Sequence, residues 1–474
     1  MVTAAFAICG DRPIPGRKNV MRIEFSTRFL LILLLILLTD RVSTSSAKQG
    51  RLEANAQQNG TTPKPLSNEM ALREVRRDQL LNGLQLVSLE KPAEGMVQCD
   101  IVIRAGSMFD PVAKTGLAGL TQRTLLAVNP RLQEEMESLG ATIEWGWNWD
   151  TTWFRLRSSP RTFEQALEIL ARLLVVDTIR PDAFKLAVEQ QLSEIRRPLP
   201  LNLRADELLV SNIFGTHPYG HNLLGTDASL SNLRPGDVYD YFRRFYIANN
   251  ASAIVTGPIR QGRVVGLFKI FFGGWSKGEI VPATFRRPVG VSKERIITMV
   301  EEGESSVEVR VGLAGERAAS PAYLAARALG EVWGLRWQKG EESSGAREVR
   351  VDLLPRTLDG PFYFRAEAPT HRARAVANRM TEIMTGVLST PITPEELESA
   401  KTSLASSLEA RPLNEWLWEV EAFGLPRNWP LTALPQVRAL TVSDVSSVAR
   451  TLLERNSPTV VLAGRLEGET PSTP

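Results

Sequence analysis

Side chains that commonly hold metals or cross-link chains are scarce in this sequence. Its 474 residues include two cysteines and three histidines. Cys9 lies in the N-terminal leader, so Cys99 stands alone in the rest of the chain, which excludes an intramolecular disulfide and a cysteine-based zinc site. The histidines are His217, His221 and His371. His217 and His221 have the four-residue spacing of a ligand pair on one helix face, but Pro218 and Gly220 break the helix such a pair needs. Charge of one sign is missing too. A net charge of +3 without a long basic run gives no reason to expect nucleic acid as a partner. The apolar run Phe29 to Leu38 is too short to span a bilayer comfortably.

What is present reads as an exported globular protein. A 43% hydrophobic and 23% charged composition is ordinary for a soluble fold, and the length suits two or three domains. Arg22 and Arg28 precede the apolar run, and Ser45-Ser46-Ala47 follows it with small residues at a cleavage site. Residues 1–47 therefore read as a leader with a secretory signal peptide starting at Met21. The alternative is an uncleaved anchor, the one membrane contact expected. Export with a solitary cysteine points to the bacterial periplasm. Residues 48–68, rich in Gln, Asn, Thr and Pro, read as a flexible linker.

Beyond the linker the chain alternates strands and helices. Strands are expected around Asn82-Gly83 and in CDIVIRAGSMFDP, helices from Thr115 to Leu126 and from Leu132 to Leu139. ATIEWGWNWDTTWFRLR reads as one strand, Phe163 to Leu174 as a helix, and Pro181 opens another. After a helix from Leu203 to Phe214, HPYGHNLLGT is an irregular loop, then come the helix LRPGDVYDYFRRFY, the strand NASAIVTG and FFGGW at 271–275. Residues 276–293 hold two prolines and no period, and read as an inter-domain linker. The same order then recurs: strands, a helix from Pro321 to Trp333, strands, a helix and a final strand.

Three landmarks keep register across the recurrence. IRPDAFKLA from Ile179 matches ITPEELESA from Ile392, 213 residues on. LRPGDV from Leu233 matches LTVSDV from Leu440, and AIVTG ending at Gly257 matches VVLAG ending at Gly464, both 207 residues on. A duplicated α/β domain follows: 69–275 and 294–468, with a tail at 469–474.

The duplication, the loop His217-Pro218-Tyr219-Gly220 with Gly225-Thr226, the strand from Asn249-Asn250 to Gly257 and FFGGW together resemble the M16 (pitrilysin, insulinase-like) peptidase family. The resemblance spans nearly all of residues 70–468. It implies an α+β fold of two homologous domains, largely antiparallel sheets layered with helices, facing each other as a clamshell. Active members hold one zinc through H-x-x-E-H and a distant Glu, with the motif Glu as general base. The resemblance sets Gly119 and Arg123 on the two His positions, Gln122 on the base and Glu194 on the distant ligand. Glycine offers no ligand, arginine repels a cation and glutamine accepts no proton, so no metal or other cofactor and no catalytic residue is expected. Arg123 would stand where the ion's charge stood, which suggests an Arg123–Glu194 ion pair in its place.

Active members also bind substrate through an Arg and a Tyr seven residues apart in the second half. Aligning on Gly345 puts Glu341 and Glu348 there, and Arg356 with Tyr363 is a second candidate pair, although Tyr363 reads better as strand. Trp145, Trp147, Trp149 and Trp153 all fall on odd positions of one expected strand and share a face, either an aromatic wall for a peptide or partner, or core. The reading is a non-catalytic M16-like subunit that pairs with an active zinc-bearing M16 chain, or with itself, and helps enclose that partner's peptide substrates. The alternative is a stand-alone peptide-binding or scaffold protein. A live enzyme working through some other residue stands behind both.

Overall fold

The apolar, β-branched segments pair into two sheets, one in each half. A computed structural model describes residues 73–466 except 177–179, 283–284, 302–303 and 341–344. The expected leader, the 48–68 linker, Ile179, Glu341 and the tail lie outside the described residues. The described part belongs to one compact unit. No described helix is long and apolar enough to cross a membrane.

The first half runs β1 (Arg76–Gln79), β2 (Gln85–Glu90), β3 (Val97–Ile103), α1 (Leu117–Val128), α2 (Leu132–Ser138), β4 (Thr142–Trp147), β5 (Thr152–Ser158) and α3 (Phe163–Leu174). It continues with α4 (Pro181–Ile195), α5 (Leu201–Phe214), α6 (Asp227–Ser231), α7 (Pro235–Phe245), β6 (Ala251–Gly257) and α8 (Gln261–Phe272). Proline opens α4 and α7, where its missing N–H breaks no helical bond.

The second half runs β7 (Arg295–Val300), β8 (Ser306–Ala314), α9 (Tyr323–Gln338), β9 (Arg347–Leu353), β10 (Pro361–Pro369), α10 (Ala373–Gly386) and α11 (Pro394–Glu409). It ends with α12 (Leu413–Phe423), α13 (Trp429–Ala439), α14 (Val442–Arg455) and β11 (Thr459–Gly464). One helix was expected between the last strands; five stand there. Pro435 inside α13 and the nearly all-round burial of α12 blur the helical period that would have marked them.

The sheet orders are β1-β2-β6-β3-β5-β4 and β7-β11-β8-β10-β9. With β1 set aside they superimpose strand for strand: β2 and β6 are parallel like β7 and β11, and the other neighbours are antiparallel. Gly257 and Gly464 end equivalent strands with the same φ of 135°. A Cβ on either would sit 2.5 Å from a carbonyl oxygen, Met96 O or Ser306 O, so only glycine fits.

Each half lends one helix to the other half's sheet. α5 lies on β8 and β11, burying Ala205, Leu209 and Ile213, while α12 lies on β3 and β6, burying Leu417 and Val420. Each such leucine or isoleucine contributes about 1.5–3 kcal/mol of burial. The two halves thus face each other as a clamshell closed by exchanged helices. Acids on those helices meet bases at the seam. Asp206 of α5 pairs with Arg310 of β8, which also donates to Glu308 at 2.8 Å and to the Asn202 carbonyl at 3.1 Å. Burial opposes the Arg310 charge, but Asp206 and Glu308 outweigh it and raise the guanidinium above its ordinary value. Glu421 of α12 pairs with Arg77 and accepts from Ser252 Oγ at 2.8 Å.

Candidate functional site

The N-terminus of α1 is set by a buried acid rather than by a capping neighbour. Asp110 accepts the backbone N–H of Gly116 at 2.8 Å and of Ala118 at 2.9 Å. Burial pushes its carboxyl up to about 8 against those helix N–H bonds, which pull it down. This anchor fixes where Gly119, Gln122 and Arg123 point, and all three are buried.

The chain's own groups fill the space those residues surround. A Cβ on Gly119 would lie 2.4 Å from Trp147 Cζ2 and 2.5 Å from Cε2, so the indole occupies the volume a side chain at 119 would need. Trp147 holds that position by donating Nε1–H to the Leu223 carbonyl at 3.3 Å. Gln122 Nε2 donates to the carbonyls of Gly146 at 3.0 Å and Trp153 at 3.1 Å, binding α1 to the β4–β5 hairpin. Arg123 forms an ion pair with Glu194 of α4 and sits over the Trp147 ring, 5.2 Å from its centroid. Its side chain is 7% exposed and that of Glu194 24%, so the pair is screened mainly from the Glu194 side. Burial pulls the guanidinium below its ordinary value, and Glu194 acts against that shift. Gln191 of α4 completes the contact, donating to the Gly116 and Leu224 carbonyls at 3.0 and 2.8 Å.

Zinc does not fit this arrangement. The volume beside Gly119, where the resemblance would set one ligand, is taken by the Trp147 indole, the amide nitrogen of Gln122 already faces two carbonyls, and the Arg123 guanidinium is held next to them by Glu194. Among the described residues no three His, Cys, Asp or Glu side chains gather to share an ion.

The four tryptophans do not share a face. Asn148 to Thr151 turn the expected single strand into a hairpin, which places Trp153 on β5 opposite Gly146. Trp153 therefore lies on the face of Gly146, opposite to that of Trp145 and Trp147. Trp147 is buried beside α1 and presents no surface; Trp145 and Trp153 are half-buried; Trp149 stands in the turn.

Arg356 and Tyr363 are not brought together as a peptide-binding pair. Tyr363 lies within β10 at 1% exposure, in a cluster with α5, so it cannot meet a peptide. Arg356 stacks on Trp149 at 4.6 Å and its Nε lies 3.8 Å from Asp150 Oδ2. In the other register, Glu348 is the one described non-glycine residue with positive φ, 52°, at an irregular point in the β9–β10 pairing.

Residues that the sequence left unassigned gather around Asp150. Tyr219 donates its hydroxyl to Asp150 Oδ1 at 2.6 Å, Thr357 N–H donates to the same oxygen at 3.0 Å, and Leu358 N–H donates to the Tyr219 oxygen at 3.0 Å. Burial and the Asp150 charge raise the Tyr219 hydroxyl far above its ordinary value, so it stays a donor. HPYG was the available signal for this cluster, as a marker of the fold rather than of a contact.

Comparison with known proteins returns one family for both halves. The Insulinase (Peptidase family M16) family model matches residues 85–227, and the Peptidase M16 inactive domain model matches residues 232–404. An uncharacterized zinc protease of Mycobacterium tuberculosis is 22% identical over 420 residues, covering 82% of this chain and 92% of that protein. The crystal structure of a peptidase M16 inactive domain from Pseudomonas fluorescens matches with a TM-score of 0.74 and 19% identity, over 84% of this chain and 100% of that one. The first half of the periplasmic protease PqqL from Escherichia coli matches with a TM-score of 0.68 and 14% identity, over 83% of this chain and 92% of that one.

Proposed function

Because the chain belongs to the M16 peptidase family, we propose that it acts as a non-catalytic subunit, pairing with an M16 chain that carries an intact zinc motif. Together the two would enclose the peptide that the active partner cleaves. One observation carries the non-catalytic part: the space beside Gly119 is filled by Trp147, with Gln122 and the Arg123–Glu194 pair completing the plug. The ion pair takes over the metal's task of tying α1 to α4. The partner is inferred from the family fold alone. Residues 1–47 would direct the chain to the periplasm, the compartment in the name of the PqqL structures.

A second reading, a stand-alone scaffold, is favoured by one feature. Arg356 and Tyr363 are engaged within the chain itself and offer nothing to a peptide. Peptidase assays on an M16 chain with an intact motif from the same organism, with and without this protein, separate the two. Activity that rises on addition, with co-elution as a heterodimer, supports the subunit; activity indifferent to the addition supports the scaffold.

A further inference from the structure

The turn between β4 and β5 joins two features that have so far stood apart. At one end of it Trp147 plugs the pocket beside Gly119. Three residues on, and so within about 10 Å of chain, Asp150 is tied to the second half of the protein.

The turn itself is stiff. Asn148 Oδ1 accepts the N–H groups of Asp150 and Thr151, both at 2.8 Å, and the Asn148 N–H donates to the Thr151 carbonyl at 2.9 Å. Such a turn transmits displacement instead of absorbing it. Asp150 projects from it into the seam with its side chain wholly buried. Its Oδ1 gathers Tyr219 from the first half and the Thr357 N–H from the second, while Tyr219 reaches the Leu358 N–H. The loop it grips is itself braced. The Leu354 N–H donates to the Pro361 carbonyl at 3.1 Å, the Gly315 N–H to the Gly360 carbonyl at 2.7 Å, and Asp359 accepts from Arg287 of the inter-domain segment at 2.7 Å. One carboxylate therefore links three chain segments across the seam. Its second oxygen, Oδ2, has no hydrogen-bond partner among the described residues and faces Arg356 at 3.8 Å. A buried carboxylate left partly unmatched weakens the case for a purely stabilising role.

We propose that Asp150 is a conformational latch: by tying the β4–β5 turn to the loop 354–361 it holds Trp147 in the pocket, so that parting of the seam and withdrawal of the indole are one movement. The latch needs no partner chain, so it stands or falls separately from the subunit reading.

Linkage makes the claim reciprocal, since a change at either end must be felt at the other. Hydrogen exchange on the isolated full chain reads both ends at once. Asp150→Ala, which cuts the tie, is expected to speed exchange by about tenfold in both 142–153 and 354–361. Gly119→Ala, which pushes Trp147 from within the first half, is expected to speed exchange across the seam in 354–361 as well as locally. Tyr219→Phe, which deletes only the bridging hydroxyl, should move both segments by a smaller factor, and serves if Asp150→Ala does not fold. A Gly119→Ala protein that loosens 142–153 while 354–361 exchanges at the wild-type rate overturns the proposal. So does an Asp150→Ala or Tyr219→Phe protein that loosens 354–361 alone.

Discussion

The two halves share a strand order but not the chemistry laid on it. Across the first sheet one row reads Val87, Ile254, Asp100, Arg155, Glu144; the equivalent row of the second reads Ile297, Val461, Arg310, Arg365, Arg350. Arginine recurs at the fourth place, while the third and fifth change from acid to base. The helices behind the sheets differ more. In the first half α1 meets α4 through the Arg123–Glu194 pair and Gln191; in the second, α9 meets α11 through Arg336 and Glu396, paired at 3.0 Å, with buried apolar residues such as Leu329 and Leu404 on the same helices. An ion pair between these two helices therefore recurs in both halves. The helices differ in what they bury: α1 buries Thr121, Gln122, Arg123 and Thr124, whereas the buried residues of α9 are apolar or aromatic.

The largest effect is expected where the halves are bound most deeply. Arg310→Ala leaves Asp206 and Glu308 uncompensated at the seam and should lower stability by about 3–5 kcal/mol, measured by urea unfolding. Glu421→Gln, at the opposite exchanged helix, should lower it less, because an amide still accepts from Ser252.

Next comes the plug. Glu194→Gln removes the carboxylate paired with Arg123 and is expected to cost about 1–3 kcal/mol. Replacing both Arg123 and Glu194 with leucine removes both charges together and should restore wild-type stability or exceed it. A double variant less stable than Glu194→Gln alone would break the comparison.

Equivalent helices also carry contrasting glycines. Gly119→Ala drives a methyl into Trp147 and should destabilise by about 1–3 kcal/mol. Gly334 of α9 has open space around its Cβ position, so Gly334→Ala should stabilise by up to about 1 kcal/mol through helix propensity. Thermal midpoints moving in the same direction would contradict the difference drawn between the halves.

The smallest effect concerns pH. Burial pushes the His221 imidazole down to about 4. No histidine occurs in 424–428, the loop after the other exchanged helix. Between its unfolded value near 6.5 and about 4 the unfolded chain takes up a proton that the folded chain refuses. The contribution is intact above pH 6.5 and is lost as pH falls toward 4. Wild type should lose roughly 1–2 kcal/mol more than His221→Gln between pH 7 and pH 5.

Much of this was legible in the sequence, for local reasons. Gly257 and Gly464 advertised equivalent strand ends because only glycine tolerates the close carbonyl. Pro181 and Pro235 marked helix starts because a first-turn proline loses no bond. The α1 positions were named only through the resemblance, from the letters standing where the family carries its motif. What filled the pocket was not. Trp147 reaches Gly119 through tertiary packing, and the hairpin that carries it turns on Asn148 hydrogen bonds without glycine or proline. Asp150 gave no signal of its own, since its partners Tyr219 and Thr357 lie 69 and 207 residues on. Helix α13 was hidden by the proline inside it.

The claim that a metal site has been filled by the chain's own side chains meets its most direct test in zinc stoichiometry. The purified chain is incubated with excess zinc, freed of unbound metal and analysed for zinc per protein. A pocket closed by Trp147, Gln122 and the Arg123–Glu194 pair should retain only a small fraction of one equivalent, unchanged in Glu194→Gln. Retention near one zinc per chain, lost in Glu194→Gln, would contradict it.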